Sequence, residues 1–189
     1  MGIKEAWIDF LYKSVTGTKK VRTILTPLGA LIFGLFTYSF ILIAQKTDAL
    51  LNLPAIFTSP WDLLIAFPVL ILGILLTGWS VLHFLKQKGT PVPSNPPLKL
   101  VDSGPYSYAR NPMLSGIFLM LLGIGFLIGS FSLVLVFIPL FILINKLELI
   151  KIEEPELERR LGRAYQEYKK KIPMFIPRFN HSFTGKKRK

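Results

Sequence analysis

The chain has 189 residues, enough for one ordinary domain and too few for two comfortable ones. It is 51% hydrophobic and only 18% charged, yet its formal net charge is +12. That pairing argues against a soluble enzyme, a disordered tail or a nucleic-acid-binding module and points to a membrane protein with basic flanks.

No cysteine is present and only two histidines, His83 and His181, so a disulfide framework, a thiolate or His-rich metal site and a cysteine nucleophile are excluded. Residues 1–22 read as an amphipathic N-terminal segment. Ile3, Trp7, Phe10, Leu11 and Val15 recur at helical spacing among Lys4, Asp9 and Lys13, which predicts a short helix lying on the membrane. Residues 23–88 hold two spans. Thr23 to Gln45 and Leu63 to Leu85 carry no Asp, Glu, Lys or Arg, and each matches the ~20 apolar residues that a spanning helix needs. The first run is too long for a signal peptide and is read as a retained span.

A third uncharged run, Asn111 to Asn145, has 35 residues. As one straight helix it would be roughly 52 Å long, far more than the ~30 Å hydrocarbon core. Gly129-Ser130 divides it, which predicts a hairpin with arms Leu114 to Ile128 and Phe131 to Leu147. Core helices of a soluble bundle keep a polar face, and these runs have none. The expected fold is therefore all-α: a multi-spanning membrane helical bundle of about four transmembrane helices with a cytoplasmic C-terminal helical segment. Residues 1–22 hold five basic and two acidic side chains, 86–110 four and one, and 148–189 twelve and six. The positive-inside rule thus puts both termini and the 86–112 loop in the cytoplasm, in a plasma (inner) membrane protein. The basic tail, residues 178–189, ends in Lys186-Lys187-Arg188-Lys189 and suits anionic lipid headgroups.

Two segments look chemical. The loop from Gly89 to Pro112 has six prolines (Pro91, Pro93, Pro96, Pro97, Pro105 and Pro112), which make a stiff, extended connector. Its second half places Tyr106, Tyr108, Arg110 and Asn111 at the start of a span, where an arginine and an amide need partners; Tyr belts and Arg snorkelling at the interface would account for them equally. The second segment runs from Leu147 to Tyr168. From Glu154, offsets of 3, 7, 11 and 14 reach Leu157, Leu161, Tyr165 and Tyr168, one helical stripe that turns Glu154 inward while Glu156 and Glu158 project elsewhere. Pro155 predicts the first position of a new helix. Glu154 is then either a carboxylate at that helix's N-terminus or an inward ligand for an amine or hydroxyls.

Together the segments resemble one superfamily. G-P-Y-x-Y-x-R-N-P-M (Gly104 to Met113), an apolar hairpin, then E-E-P-x-L-x-x-x-x-G-x-x-Y-x-x-Y (Glu153 to Tyr168) and the prolines Pro173 and Pro177 are similar to the isoprenylcysteine carboxyl methyltransferases and phospholipid methyltransferases. Thr90 to Val101 is similar to a prokaryotic branch. The resemblance covers residues 89–177, a methyltransferase-like core, and leaves the first two spans without a motif.

The resemblance implies an S-adenosylmethionine-dependent integral-membrane methyltransferase, with the cofactor taken from the cytosol and a lipophilic substrate from the bilayer. It implies catalytic roles for Arg110, Asn111 and Glu154. It implies cofactor binding by Gly104, Tyr106, Tyr108, Arg110, Pro112, Met113, Glu153, Glu154 and Tyr165, with no metal and no nucleic acid. Tyr168 matches the second tyrosine of the tail helix. Gly123-Ile124-Gly125 resembles the phospholipid branch's cofactor glycines, although close helix packing also explains it. Prenylcysteine enzymes carry R-H-P-x-Y where this chain has Arg110-Asn111-Pro112-Met113-Leu114. Asparagine is no base near neutral pH and Leu114 has no hydroxyl, so the acceptor stays open between a lipid amine headgroup and an isoprenoid or prenyl-type carboxylate. Two other classes fit the same bundle: a non-catalytic scaffold or lipid-binding protein, and a nicotinamide-dependent membrane reductase. The sequence does not set the oligomeric state.

Overall fold

The computed structural model describes residues 2–16, 18–87, 89, 90, 92, 95–97 and 99–176. Pro91, Pro93, Pro177, His181 and the Lys186–Lys189 tail lie outside that set, and the side chains of Ile3 and Lys4 are likewise not described. The described residues are helical, without strands. They form α1 (Ile3–Thr16), α2 (Lys19–Leu51), α3 (Trp61–Lys86), a 3-10 turn (Gly104–Ser107), α4 (Pro112–Leu127), α5 (Ile138–Glu148), α6 (Glu154–Leu161) and α7 (Arg163–Lys171). The all-α membrane bundle expected from the sequence is the observed fold. Ile24–Leu51, Trp61–Lys86 and Leu133–Leu161 are long and apolar enough to cross a membrane, and α4 is a shorter apolar helix of 16 residues. At 1.5 Å per residue α4 reaches about 24 Å, short of a full hydrocarbon core.

The outer faces of α2 and α3 expose leucine and isoleucine along their whole length, including Ile24, Leu28, Leu31, Leu35, Leu64, Ile71 and Leu75. In water this surface would be unfavourable; facing acyl chains it loses nothing. Hydroxyls in these helices bond back to the turn below, Thr37 to the Phe33 carbonyl (2.8 Å) and Ser80 to that of Leu76 (2.7 Å), which satisfies them within the helix.

Helices α3 and α4 pack along their lengths because small residues meet. A Cβ on Gly116 would lie 2.8 Å from the Gly73 carbonyl oxygen and 2.3 Å from Thr77 Oγ1. One on Gly123 would lie 2.6 Å from Leu70 Cγ, and one on Gly125 2.7 Å from Val134 Cγ2. Gly123 and Gly125 therefore serve helix contact rather than a ligand. Beside this seam Phe141, fully buried, is ringed by Phe33, Phe36, Phe40 and Phe118 at centroid distances of 5.1 to 6.1 Å. The hairpin turns at Gly129, whose φ of 64° favours glycine. At that turn Asp48 accepts from the Ser132 N–H (2.9 Å) and the Ser130 hydroxyl, capping the second arm and fastening it to the end of α2.

Two expectations need correction. The second hairpin arm does not stop at Leu147, and Pro155 does not open a new helix: one helix runs from Leu133 to Leu161. It contains two π-turns, Leu133–Phe137 and Leu149–Glu153. In the second, the Glu154 N–H donates to the Leu149 carbonyl five residues back, and Pro155 follows at once. The widened turn shifts the bonding register where the proline ring and missing N–H would otherwise break the ladder. Glu154 has helical dihedrals of −62° and −41° and caps no free N-terminus. Second, the stripe from Glu154 to Tyr168 lies on two helices, because Gly162 at φ 59° separates α6 from α7. The short N-terminal helix expected from the sequence is observed as α1, which turns Leu11, Ser14 and Val15 into the protein, packing on α6 and the second π-turn, while Trp7 and Phe10 stay exposed. An Asp9–Arg159 ion pair, with Arg159 4.2 Å over the Tyr12 ring, holds it there.

Replacing Gly116 by alanine is expected to lower bundle stability by about 1–3 kcal/mol through overpacking. Gly78→Ala, with nothing within 4 Å of the added methyl, is expected to be neutral. Unfolding curves of the two variants in one detergent check this.

Candidate active site

The site is assembled by returns of the chain. In the 3-10 turn, Tyr106 stacks on Phe84 of α3 at 4.3 Å and 7°. Its carbonyl accepts the Tyr168 hydroxyl at 2.7 Å in a buried bond, which fixes α7 to the loop. The segment after α7 then laces back onto the start of α4. The Arg110 N–H donates to the Pro173 carbonyl (2.8 Å), the Asn111 N–H to that of Met174 (3.0 Å) and the Ser115 hydroxyl to that of Phe175 (2.9 Å). Polar backbone at the mouth of an apolar bundle is satisfied in this way.

Within this frame lies a charge network. Glu154, only 2% exposed, ion-pairs with the Arg110 guanidinium through one oxygen and with Lys169 Nζ (2.7 Å) through the other. The bond from Glu154 also holds the Lys169 ammonium above its ordinary pKa. Buried Glu156 pairs with Arg160 (2.8 Å), and a second Arg160 nitrogen donates to the Pro97 carbonyl (3.0 Å), tying the proline-rich loop to α6. Glu156 thus packs inward, contrary to its expected outward projection, while Glu158 does lie outside, reached by Lys169 at 2.9 Å.

The frame encloses a cavity of about 680 Å³, within the ordinary range of small-molecule sites. Its polar wall is Thr90, Lys99, Arg110, Asn111, Asn145, Glu148, Glu153 and Arg160; its aromatic wall is Phe84, Tyr106, Tyr165 and Tyr168; its apolar wall includes Phe33 and Phe36 of α2. Two features stand out by partner count. Arg110 Nε is buried and makes no hydrogen bond, although Nη1 of the same guanidinium is bonded to Glu154. Glu148 and Glu153 have no hydrogen bond or ion pair among the described residues. Burial raises the pKa of the Tyr106, Tyr165 and Tyr168 phenols, and carboxylates add to the effect on the first two, Glu153 on Tyr106 and Glu154 on Tyr165. All three are therefore neutral near pH 7.

The profile of the phospholipid methyltransferase family matches residues 61–164. The chain belongs to that family. It is also 37% identical over 100 residues to Protein-S-isoprenylcysteine O-methyltransferase of Schizosaccharomyces pombe (strain 972 / ATCC 24843), a stretch covering 53% of this chain and 40% of that relative. The chain thus spans less than half the length of the curated relative it matches. No solved structure matches.

The phospholipid methyltransferase match begins at the first residue of α3, so the second span belongs with the motif-bearing part. It runs through Glu154 and ends before Tyr165. Of the residues singled out by sequence, Tyr106, Arg110, Asn111, Met113, Glu153 and Tyr165 line the cavity. Gly104, Tyr108, Pro112 and Glu154 do not. Gly104 packs at His83, where a Cβ would come within 2.8 Å of the ring, and Tyr108 is 40% exposed. Pro112 is buried at the first turn of α4, and Glu154 stands behind the lining, paired with Arg110. Sequence reasoning missed Asn145, Glu148 and Arg160. The Glu156–Arg160 spacing of four was readable as a helical ion pair; Glu148 carried no signal without the π-turn.

Arg110→Met should leave buried Glu154 short of a partner and cost about 3–5 kcal/mol, whereas the double variant Arg110→Met/Glu154→Leu should recover much of it. A double-mutant cycle on thermal unfolding in detergent measures this.

Proposed function

We propose that this chain is an S-adenosylmethionine-dependent membrane methyltransferase whose acceptor is a lipophilic amine. The observation that carries the reading is one cavity holding both a buried guanidinium N–H without an acceptor and carboxylates without a cation. An α-amino acid group offers the complement of each, a carboxylate for Arg110 Nε and an ammonium for Glu153. The cofactor ends in such a group, and its sulfonium suits the faces of neutral tyrosines. When bound, it supplies an electrophilic methyl group. Transfer forms a bond from the acceptor's lone pair to the methyl carbon and breaks the carbon–sulfur bond with its electrons passing to sulfur. Such a displacement depends mainly on alignment, worth roughly 7–11 kcal/mol, so a site without cysteine or a cavity-lining histidine is sufficient.

The chain's residues then divide the work. Arg110 and Glu153 bind; Glu154 and Lys169 orient Arg110; Tyr106 and Tyr165 exclude water. The apolar wall at Phe33 and Phe36 accommodates a hydrocarbon chain arriving from the bilayer. The charge distribution supports a cytoplasmic placement of both termini and of the site, where the cofactor is available, in a plasma (inner) membrane.

An amine acceptor is favoured because Glu148 and Glu153 line the cavity without an ion pair among the described residues and so offer carboxylates to ammonium groups, whereas the lining arginines Arg110 and Arg160 already pair with carboxylates and Lys99 is exposed. The second reading, a prenylcysteine-type carboxylate, is favoured by the yeast relative's activity. Isothermal titration of the purified protein with S-adenosylhomocysteine is expected to saturate. Glu153→Gln is expected to weaken binding at least tenfold. Absence of saturable binding by the intact protein would overturn the proposal. Labelled methyl transfer to phosphatidylethanolamine rather than farnesylcysteine separates the two acceptors.

A further inference from the structure

The cavity-facing side of the last membrane helix cannot be drawn as one α-helical stripe. Ile144, Asn145 and Glu148 line the cavity from α5, and Glu153, Leu157, Arg160 and Leu161 line it from beyond. Each set is internally helical, with steps of three or four. Across the junction the step is five. On a regular α-helix five positions are about 140° apart, which would point Glu148 and Glu153 to different faces. The π-turn Leu149–Glu153 absorbs the extra residue and brings both phases onto one wall. Such turns concentrate at functional sites. The result here is a second unpartnered carboxylate in the cavity.

The two carboxylates have different neighbours. Glu153 adjoins Glu154, hence the Arg110 end of the cavity. Glu148 lies about 7.5 Å farther along the helix at 1.5 Å per residue. It is one turn from Asn145, whose amide N–H is bonded to the Phe141 carbonyl at 2.8 Å, leaving that side chain's oxygen as an acceptor. One turn beyond is Phe141, in contact with Phe33 and Phe36 of the apolar wall. Glu148 therefore marks the boundary between the charged end and the hydrocarbon end, where the head of a lipophilic acceptor would stop.

We infer that Glu148, turned into the cavity by the π-turn, is the acceptor-side carboxylate: it pairs with the acceptor's ammonium and takes its proton. The inference rests on the methyltransferase reading above and adds a residue outside the recognised motif. In balance, R–NH3+ gives its proton to the Glu148 carboxylate, which becomes a carboxylic acid, and the freed lone pair on R–NH2 is then available to the methyl carbon. A protonated amine has no lone pair, so an amine acceptor needs such a base. The Asn145 side-chain oxygen can accept one of the remaining N–H bonds.

The test uses full-length protein in detergent, loaded with S-adenosylhomocysteine, and measures binding of dodecylamine and of dodecanoate. Wild type is expected to prefer the amine. Glu148→Gln is expected to lose at least tenfold in amine affinity with S-adenosylhomocysteine affinity unchanged within twofold, and Glu148→Asp to retain part of the amine preference. In nanodiscs, Glu148→Gln is expected to lower labelled methyl transfer to phosphatidylethanolamine at least tenfold. Equal loss of S-adenosylhomocysteine binding in folded Glu148→Gln and Glu153→Gln would overturn the inference by making Glu148 a cofactor residue. So would a wild-type preference for dodecanoate, a result that needs no variant to fold. If wild type binds no S-adenosylhomocysteine, the methyltransferase reading itself fails; if it binds but ignores the amine, that reading stands while the amine acceptor and this inference fail.

Discussion

A carboxylate buried to 2% exposure must be compensated, and the way Glu154 is compensated organises the site end of this molecule. Its two oxygens take Arg110, 44 residues upstream at the head of α4, and Lys169, in the helix beyond Gly162. One side chain thereby joins three segments that share no regular secondary structure. Such a network adds little net stability, since desolvation offsets much of the attraction. Its consequence is geometric: only one docking of α7 and of the 104–111 loop satisfies all three charges. The backbone bonds from Arg110 and Asn111 to Pro173 and Met174 then close the same junction from the other side.

The membrane sets the complementary constraint. Among apolar helices in lipid there is no hydrophobic force to press them together, so close contact comes from shape. Gly73 and Gly116 provide it between α3 and α4, and the Phe141 cluster provides it between α2 and the last helix. The Asp48 cap fastens α2 to the hairpin at the end remote from the site. At the site end α2 meets the others through cavity-lining residues such as Gly29 and Phe33. A bundle fixed at one end and lined by a cavity at the other can hold a ligand without losing its packing.

Much of this was legible in the sequence because the signals are long or chemically unusual. Charge-free runs mark membrane helices, and an arginine and asparagine at a span's edge mark a polar site. Glu154 was legible as inward-facing because the stripe to Leu157 and Leu161 holds locally. What failed was continuity. Periodicity assumes 3.6 residues per turn, and one π-turn shifts every phase after it, so Glu148 could not be aligned with Glu153 by counting. Pro155 was read as a helix start because proline is favoured there, whereas the π-turn before it lets the helix continue. Gly162 gave no warning of its left-handed backbone, since glycine also serves helix contacts in this chain. Gly104, Tyr108 and Pro112 were grouped with the site through the family resemblance, which does not show which motif residues line a cavity and which lie beside it.

The net charge of +12 conceals a local inversion that bears on function. Four of the eleven acidic residues, Glu148, Glu153, Glu154 and Glu156, lie on one stretch of the last helix. Glu154 and Glu156 are neutralised by Arg110, Lys169 and Arg160, and Glu148 and Glu153 are not. The protein is thus basic in its flanking segments and acidic on one wall of its cavity. Because charges beyond roughly 10 Å are screened at physiological salt while buried ones are screened much less, the two regions act on different partners. Under the proposed reading, the basic flanks meet the anionic headgroups of the bilayer. The acidic wall then meets the ammonium groups of the bound ligands. A sulfonium donor and a protonated amine repel one another in a neutral cavity. Two unpartnered carboxylates about one turn apart allow both cations to be held on one helix face, which is the arrangement that the π-turn creates.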